Sequence, residues 1–470
     1  MLNTILLILY ILVAISLVIS VLLHGAKPSK TLAWLLAIFT IPVGGILLYL
    51  LVGRNRRKNK LLKLKKAKFL NPARSNVPEE TYMDGKYQKL MKLAFRSSQM
   101  KPTLGNTTEV LKDGKSTFEA IFKALNEARA QIHIQYYIFE EGELAQRLLE
   151  VFKTKIEQGV KIRMIYDGIG SFSLSRAYRK QLLALGVEVY PFLPFKFGRF
   201  LSSVNYRNHR KIIVVDGQLA FTGGINISDK YLKGDPTLGN WHDMHISLQG
   251  PAAANLDAVF AMDWYLVSQQ YLEPLTLQTA MHTKGGPLGT MVQIVSGGPD
   301  DDFPSLEQAY FSIINLATKY LYIINPYIIP SQPILQALQT AALGGLDVRL
   351  MVSENADNRI VSWCVRSYFE PLLKSGVKIY LFPDGFLHSK LMISDDAISS
   401  IGTANLDGRS FEQNYEVNAL VYDASFTLSL KQDFLRDCNV SRILSYAEHT
   451  QRPWSEKLKE GFGKIFSPIL

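Results

Sequence analysis

Two stretches of this chain carry the same polar residues at the same spacing. His209-Arg210-Lys211 leads through Ile-Ile-Val-Val to Asp216, and His388-Ser389-Lys390 leads through Leu-Met-Ile-Ser to Asp395. Both read His-x-Lys-x4-Asp. Gly223, Gly224 and Asn226 follow the first histidine at the offsets at which Gly402, Thr403 and Asn405 follow the second. The apolar filling predicts a strand in each motif, which puts histidine and lysine, two positions apart, on one face. The aspartate, seven positions on, then points the other way or ends the strand. An imidazole beside an ammonium suits a phosphodiester. A ring nitrogen can attack phosphorus while the ammonium neutralises the oxygens as charge builds in the transition state. The glycines are expected to let backbone approach the phosphate closely, and each asparagine adds a neutral donor. One such motif is a weak signal. Two copies with matching Gly and Asn are a strong one.

A nucleophilic imidazole needs its far nitrogen held by a carboxylate. With Asp216 and Asp395 pointing away, Asp243 in Asn240-Trp241-His242-Asp243 and Glu416 in Asn414-Tyr415-Glu416 are the candidates. His242, Asp243 and His245 also resemble a metal-binding group, but a strand alternates its sides, and no metal site is expected there.

The surrounding pattern reads as α/β. Helices over 116–130 and 144–158 alternate with strands over 131–139, 160–166 and 187–192. The order then repeats, with a helix over 306–317 and strands over 320–324, 347–352 and 377–382. Gly-Val-Glu-Val-Tyr at 186–190 answers Gly-Val-Lys-Ile-Tyr at 376–380. A repeat of roughly 180 residues is far too long for a solenoid and predicts two similar domains, over 100–285 and 286–470. The halves differ in one connector. Before the first motif, Phe195, Lys196, Phe197, Arg199 and Phe200 interleave aromatics with cations, as the lip of a lipid site would.

With 47% hydrophobic and 20% charged residues, the 470-residue chain is not disordered. Its two cysteines, Cys364 and Cys438, form no disulfide scaffold and no Cys-x-x-Cys site. The net charge of +11 is local: twelve of the 52 Lys and Arg fall within residues 1–78, where there is no Asp or Glu. The rest of the chain is close to neutral, which argues against a nucleic-acid partner. Residues 2–23 and 31–52 are long apolar runs, joined by seven residues, and predict a transmembrane hairpin over 1–53. Nine basic residues over 54–69 follow it, in a linker expected to run to 99. By the positive-inside rule everything beyond is cytoplasmic. The same basic segment could lie on an anionic leaflet.

The doubled motif resembles the phospholipase D superfamily with both HKD motifs on one chain. With the two N-terminal spans and the ending Phe466-Ser467-Pro468 it looks most like the bacterial cardiolipin synthases. The resemblance implies two tandem phospholipase D-like α/β/α domains packed with pseudo-two-fold symmetry behind the hairpin, and one active site complete within one chain. Its catalytic residues would be His209, Lys211, Asp216, His388, Lys390 and Asp395, with Asn226 and Asn405 on phosphate. One histidine would form a covalent phosphatidyl intermediate and the other protonate the leaving group, with no metal or other cofactor. The implied reaction joins two phosphatidylglycerol molecules into cardiolipin and glycerol at the bacterial inner membrane. Hydrolysis of a lipid phosphodiester is the alternative, and a nuclease is disfavoured by the neutral body.

Overall fold

The structure is a computed structural model, and it describes residues 10–19, 28–41, 43–49, 85–194, 206–272, 289–383 and 385–468. The chain divides into two compact units. In the first, residues 10–19 are helical and are followed by helices Pro28–Thr40 and Gly44–Leu48. Ala14 and Leu17 pack with Ile38, Ile46 and Tyr49, while Leu12, Ile15, Leu36 and Phe39 face outward. Among the described residues no helix is long and apolar enough to cross a membrane. Most of both expected spans lies outside the described residues.

The second unit is built on one continuous sheet with two small two-stranded sheets beside it. The first half of the chain contributes β1 (Thr103–Leu111), β2 (Gln131–Tyr136), β3 (Lys161–Asp167), β4 (Glu188–Phe192), β5 (Arg207–Asn208), β6 (Ile212–Val215), β7 (Leu219–Gly223), β8 (Trp241–His242) and β9 (His245–Gln249). The second contributes β10 (Thr290–Gly297), β11 (Tyr320–Ile324), β12 (Ile328–Ile329), β13 (Asp347–Ser353), β14 (Lys378–Phe382), β15 (Phe386–Leu387), β16 (Leu391–Ser394), β17 (Ile398–Gly402), β18 (Leu406–Asp407), β19 (Asn414–Tyr422) and β20 (Arg442–Leu444). From the centre outward the first half runs β1-β9-β7-β6-β2-β3-β4, and the second runs β10-β19-β17-β16-β11-β13-β14. These are the same order. β1 and β10 pair antiparallel at the junction, which makes one sheet of the two.

Helices cover both faces for reasons visible in the chain. Glu127 closes a helix begun at Gly114, in which Phe118, Ile121, Phe122 and Leu125 repeat at helical spacing and are buried. Asp113 caps it by accepting the Ser116 amide at 2.7 Å. Such helices form a separate core for each half. On the opposite face one core is shared. Ile212, Val214 and Ile246 pack there with Ile294, Ile393 and Ala419 beneath helices Pro251–Ser268 and Ala424–Val440. The two halves are therefore less separate than a tandem of domains implies. The expected linker also ends early: helix Gln88–Ser98 buries Leu90 and Ala94 in the core of the second half.

The motif aspartates sit in this scaffold and not with the histidines. Asp216 (φ 51°) and Asp395 (φ 58°) hold the left-handed turns of the hairpins β6–β7 and β16–β17. Asp and Asn tolerate that region better than most side chains. Asp216 accepts the amides of Arg129, Ala130 and Gln131 at 2.8, 2.8 and 2.9 Å, fixing the start of β2. Asp395 accepts those of Thr318, Lys319 and Tyr320 at the start of β11 and is paired with Lys86. Their carboxylates are committed to backbone at the strand end remote from the histidine. Asp216→Ala is expected to lose about 2–4 kcal/mol of stability, from three charge-assisted bonds and a strained turn. Asp216→Asn should lose less. Denaturant midpoints check this, and equal stability of all three proteins would contradict it.

Candidate active site

The strand expected to run from each histidine to its aspartate is interrupted. β6 begins only at Ile212, and β5, just before His209, pairs instead with β19 of the other half, Arg207 opposite Asn414 and Asn208 opposite Tyr415. β8 and β15 make the equivalent crossing, Trp241 opposite Phe386 and His242 opposite Leu387. The His209 amide donates to Tyr415 O at 2.9 Å and the His388 amide to His242 O at 2.8 Å. Each histidine is thus stitched to the strand that carries the acid of the opposite half. Gly385 (φ 80°) makes the second crossing possible, since a Cβ there would fall 1.9 Å from Asn240 O.

The acids complete the exchange. His209 Nδ1 lies 2.9 Å from Glu416 Oε1, and His388 Nδ1 lies 2.7 Å from Asp243 Oδ2. Both carboxylates are fully buried. With Nδ1–H donated to a carboxylate, each imidazole keeps Nε2 for chemistry. Lys211 and Lys390 are also buried, and each ammonium donates to the carbonyl of its own motif histidine, Lys211 at 2.9 Å. The Asn226 carbonyl accepts the Ile138 amide at 3.2 Å, while Asn405 Oδ1 has no partner among the described residues. His209, His388, Asn226 and Asn405 line one cleft of about 440 Å³, walled by Tyr137, Tyr231, Trp241, Tyr327, Arg207 and Arg409. The Tyr137 ring meets His209 edge-on at 4.8 Å, and Trp241 lies 5.3 Å from His388.

Burial and charge set the protonation of this cluster. Burial pushes the His209 imidazole down to about 4 against the pull of Glu416. Burial, with Lys390 and Lys211, holds His388 well below the usual imidazole range. Both are therefore neutral at pH 7, the form in which Nε2 is a nucleophile. Burial lowers Lys211 to about 7 and Lys390 to about 8. It also raises Asp243 to about 6, against Lys390. Glu416 behaves differently: burial pushes it up, but His209, Lys211 and the Thr403 hydroxyl outweigh that and leave it below its ordinary value.

The two half-sites differ at one matched position. Thr403 Oγ1 donates to Glu416 Oε2 at 2.5 Å. Its counterpart is Gly224, where a Cβ would sit 2.0 Å from Asp243 Oδ1. The glycines of the motif thus make room for protein. A Cβ at Gly223 would meet Met244 O at 2.5 Å, and one at Gly402 would meet Val417 O at 2.4 Å, so the expected close approach to phosphate is replaced by close approach to a neighbouring strand.

Sequence reasoning passed over Arg210, the middle residue of the first motif. It is buried, with Nη1 2.7 Å from Asp263 Oδ2, Nη2 donating to Gly297 O and Nε donating to Glu416 O. It clamps the strand that bears Glu416 from the opposite half. Tyr231 was also missed. Its hydroxyl lies 3.4 Å from His388 Nδ1 and 3.3 Å from Asn226 Nδ2, and no spacing pattern marks it. The expected lipid lip, with Phe195, Phe197 and Phe200, lies outside the described residues. Among those described, no three His, Cys, Asp or Glu gather as metal ligands.

The family model described as cardiolipin synthase, PLD-like domain matches residues 121–264 and 310–438, one copy around each motif. The chain belongs to this family. A second model, Phospholipase_D-nuclease N-terminal, matches residues 8–54. The cardiolipin synthase of Geobacillus kaustophilus is 40% identical over 97% of this chain and 91% of its own length. That of Halalkalibacterium halodurans is 39% identical over 96% and 91%. Among solved structures, phosphatidylserine synthase of Haemophilus influenzae superposes with a TM-score of 0.62 at 16% identity, covering 82% of this chain and all of the other. That likeness is one of fold. The protein is an enzyme of the phospholipase D superfamily.

This cluster predicts a pH dependence of activity. An ionised Asp243 can hold His388, and charged lysines can meet an anion. In kcat/KM, which reports the free enzyme, activity should fall above about pH 7–8 as Lys211 and Lys390 lose their protons. A flat profile from pH 5 to 9 would contradict this assignment. Glu416→Gln and Asp243→Asn should each lower kcat about 10²- to 10⁴-fold with the fold intact, measured as turnover and circular dichroism.

Proposed function

We propose that this enzyme is a phosphatidyltransferase making cardiolipin and glycerol from two phosphatidylglycerol molecules. The observation that carries the reading is the single cleft holding His209 and His388, each backed by the carboxylate of the opposite half. His209 Nε2 attacks phosphorus of the first lipid. The phosphorus–oxygen bond to the headgroup glycerol breaks, and His388 supplies the proton that the departing alkoxide needs. A headgroup hydroxyl of the second lipid then gives its proton to His388 and attacks phosphorus, the P–N bond breaks, and His209 is restored.

The anionic phosphodiester favours the charged states that burial disfavours. With it bound, His388 takes up a proton from water at Nε2, which it then donates to the leaving alkoxide, and Lys211 and Lys390 stay ammonium ions. Asn226 and Asn405 add neutral contacts to the phosphate. His209 is the nucleophile in this reading because Glu416, supported by Thr403 and Asn414, stays ionised and holds its imidazole in one orientation. Asp216 and Asp395 position strands and take no part in the chemistry.

The site needs no second chain. The repeated strand order supports two phospholipase D-like domains, over 100–285 and 286–470, related by a pseudo-two-fold. The apolar runs over 2–23 and 31–52 support a multi-pass anchor in the bacterial inner membrane with the catalytic part cytoplasmic. The basic linker and the 195–205 connector would meet anionic lipid.

Purified protein in phosphatidylglycerol vesicles, with products read by lipid mass spectrometry, should yield cardiolipin and glycerol. Phosphatidic acid as the main product would favour the hydrolase. His209→Ala and His388→Ala should each abolish turnover in a folded protein. Rapid acid quench should trap phosphatidyl on a His209 peptide; finding it on His388 would reverse the assignment.

A further inference from the structure

The C-terminal helix, Trp454–Ile465, is tightly packed on one face and bare on the other. Gly463 marks the packed face. A Cβ there would come within 2.7 Å of Cys364 N and 2.8 Å of Trp363 Cβ, so the helix lies directly on helix Arg359–Arg366. Glu460, on the same side, is buried and held by Arg452 at 2.7 Å. The opposite face presents Trp454, Leu458, Phe462 and Ile465, which are 76%, 64%, 49% and 72% exposed. At 3.6 residues per turn these four fall within roughly a quarter of the helix circumference. Lys457 and Lys464 border the stripe on one side and Lys459 on the other, all three exposed.

The stripe sits near the cleft. The helix beneath it provides Val361 to the cleft wall, and its capping residue Asn358 lines the same wall. The chain end is tied to the other rim. Gln413 Nε2 donates to Pro468 O at 3.2 Å, just beyond the helix that contains cleft residue Arg409.

The geometry points to an interfacial helix: Trp454, Leu458, Phe462 and Ile465 enter the boundary between headgroups and acyl chains of an anionic bilayer, Lys457, Lys459 and Lys464 meet its phosphates, and the cleft mouth is thereby held at the membrane surface. An apolar stripe edged on both sides by lysines is the arrangement such a surface selects, with the ammonium groups reaching back to the phosphates. The indole at the helix start fits the same depth. A second copy laid face to face on the stripe would bring two sets of lysines together, which disfavours that occupant. The inference rests on the lipid-transferase reading for its purpose, and on exposure and charge for its geometry.

The test uses the full chain in vesicles of phosphatidylglycerol mixed with phosphatidylcholine brominated on its acyl chains. Subtracting the emission of Trp454→Phe from that of the parent protein isolates Trp454. Bromolipid should quench that difference at least about two-fold relative to unbrominated vesicles, as an indole at the acyl boundary requires. A combined Leu458→Ser, Phe462→Ser, Ile465→Ser variant should lose about ten-fold or more in turnover on vesicles, and stay within about two-fold on a short-chain, water-soluble phosphatidylglycerol, with an unchanged Tm. An unquenched Trp454 would overturn the proposal. So would equal losses on both substrates, or a dimer in solution that the triple variant dissolves. Quenching without any cardiolipin product would leave the helix assignment standing and sink the transferase reading instead.

Discussion

Everything in the cleft depends on an exchange between the two halves of the chain. His209 is held by Glu416 and His388 by Asp243, so neither motif histidine draws its carboxylate from its own half. The exchange is enforced by backbone. β5 pairs with β19 and β8 with β15, and in each crossing the histidine amide donates to a carbonyl beside the opposite acid. Arg210 locks one crossing by bonding Glu416 O and Gly297 O while its charge is matched by Asp263. Removing one partner of such a buried pair costs about 3–5 kcal/mol, because the other charge is left without compensation. The same contacts therefore hold the halves together and orient the two imidazoles.

The cleft is also a balance of charges out of water. Lys211, Lys390, Asp243 and Glu416 are buried within or beside it, with two neutral imidazoles between them. Burial alone would discharge each ion, and the values for Lys211 and Asp243 show how far it succeeds. An incoming phosphodiester anion shifts this balance toward the ammonium forms at the moment they are useful. Preorganisation of this kind needs little rearrangement in the transition state.

Near-symmetry leaves room for division of labour. Thr403 supports Glu416 with a hydroxyl where Gly224 gives Asp243 only space. Arg210 clamps one motif where the second has the smaller Ser389. These differences fall on the supports of the two imidazoles and leave the imidazoles equivalent in placement. They are what tells the two half-sites apart in a pair that the motifs alone present as identical.

The repeat, the α/β class and the histidines, lysines and asparagines of the cleft were legible in the sequence, because strand periodicity and fixed offsets are local properties of the chain. Most helices and strands fell within a residue or two of the expected bounds for the same reason. The central strands β1 and β10 were missed, as was the helix Gln88–Ser98, since each is defined chiefly by what it packs against. Asp243 and Glu416 could be nominated as carboxylates, but which histidine each serves depends on pairing between segments more than 140 residues apart. The same holds for Arg210, an unremarked middle residue until the opposite half supplies its acceptors, and for the motif glycines, whose function is set by the strand that passes over them. Sequence alone determined which residues could do phosphoryl chemistry. Only the tertiary structure decided who supports whom, because hydrogen bonding and burial across a sheet are set by distance in space and leave no periodic trace along the chain.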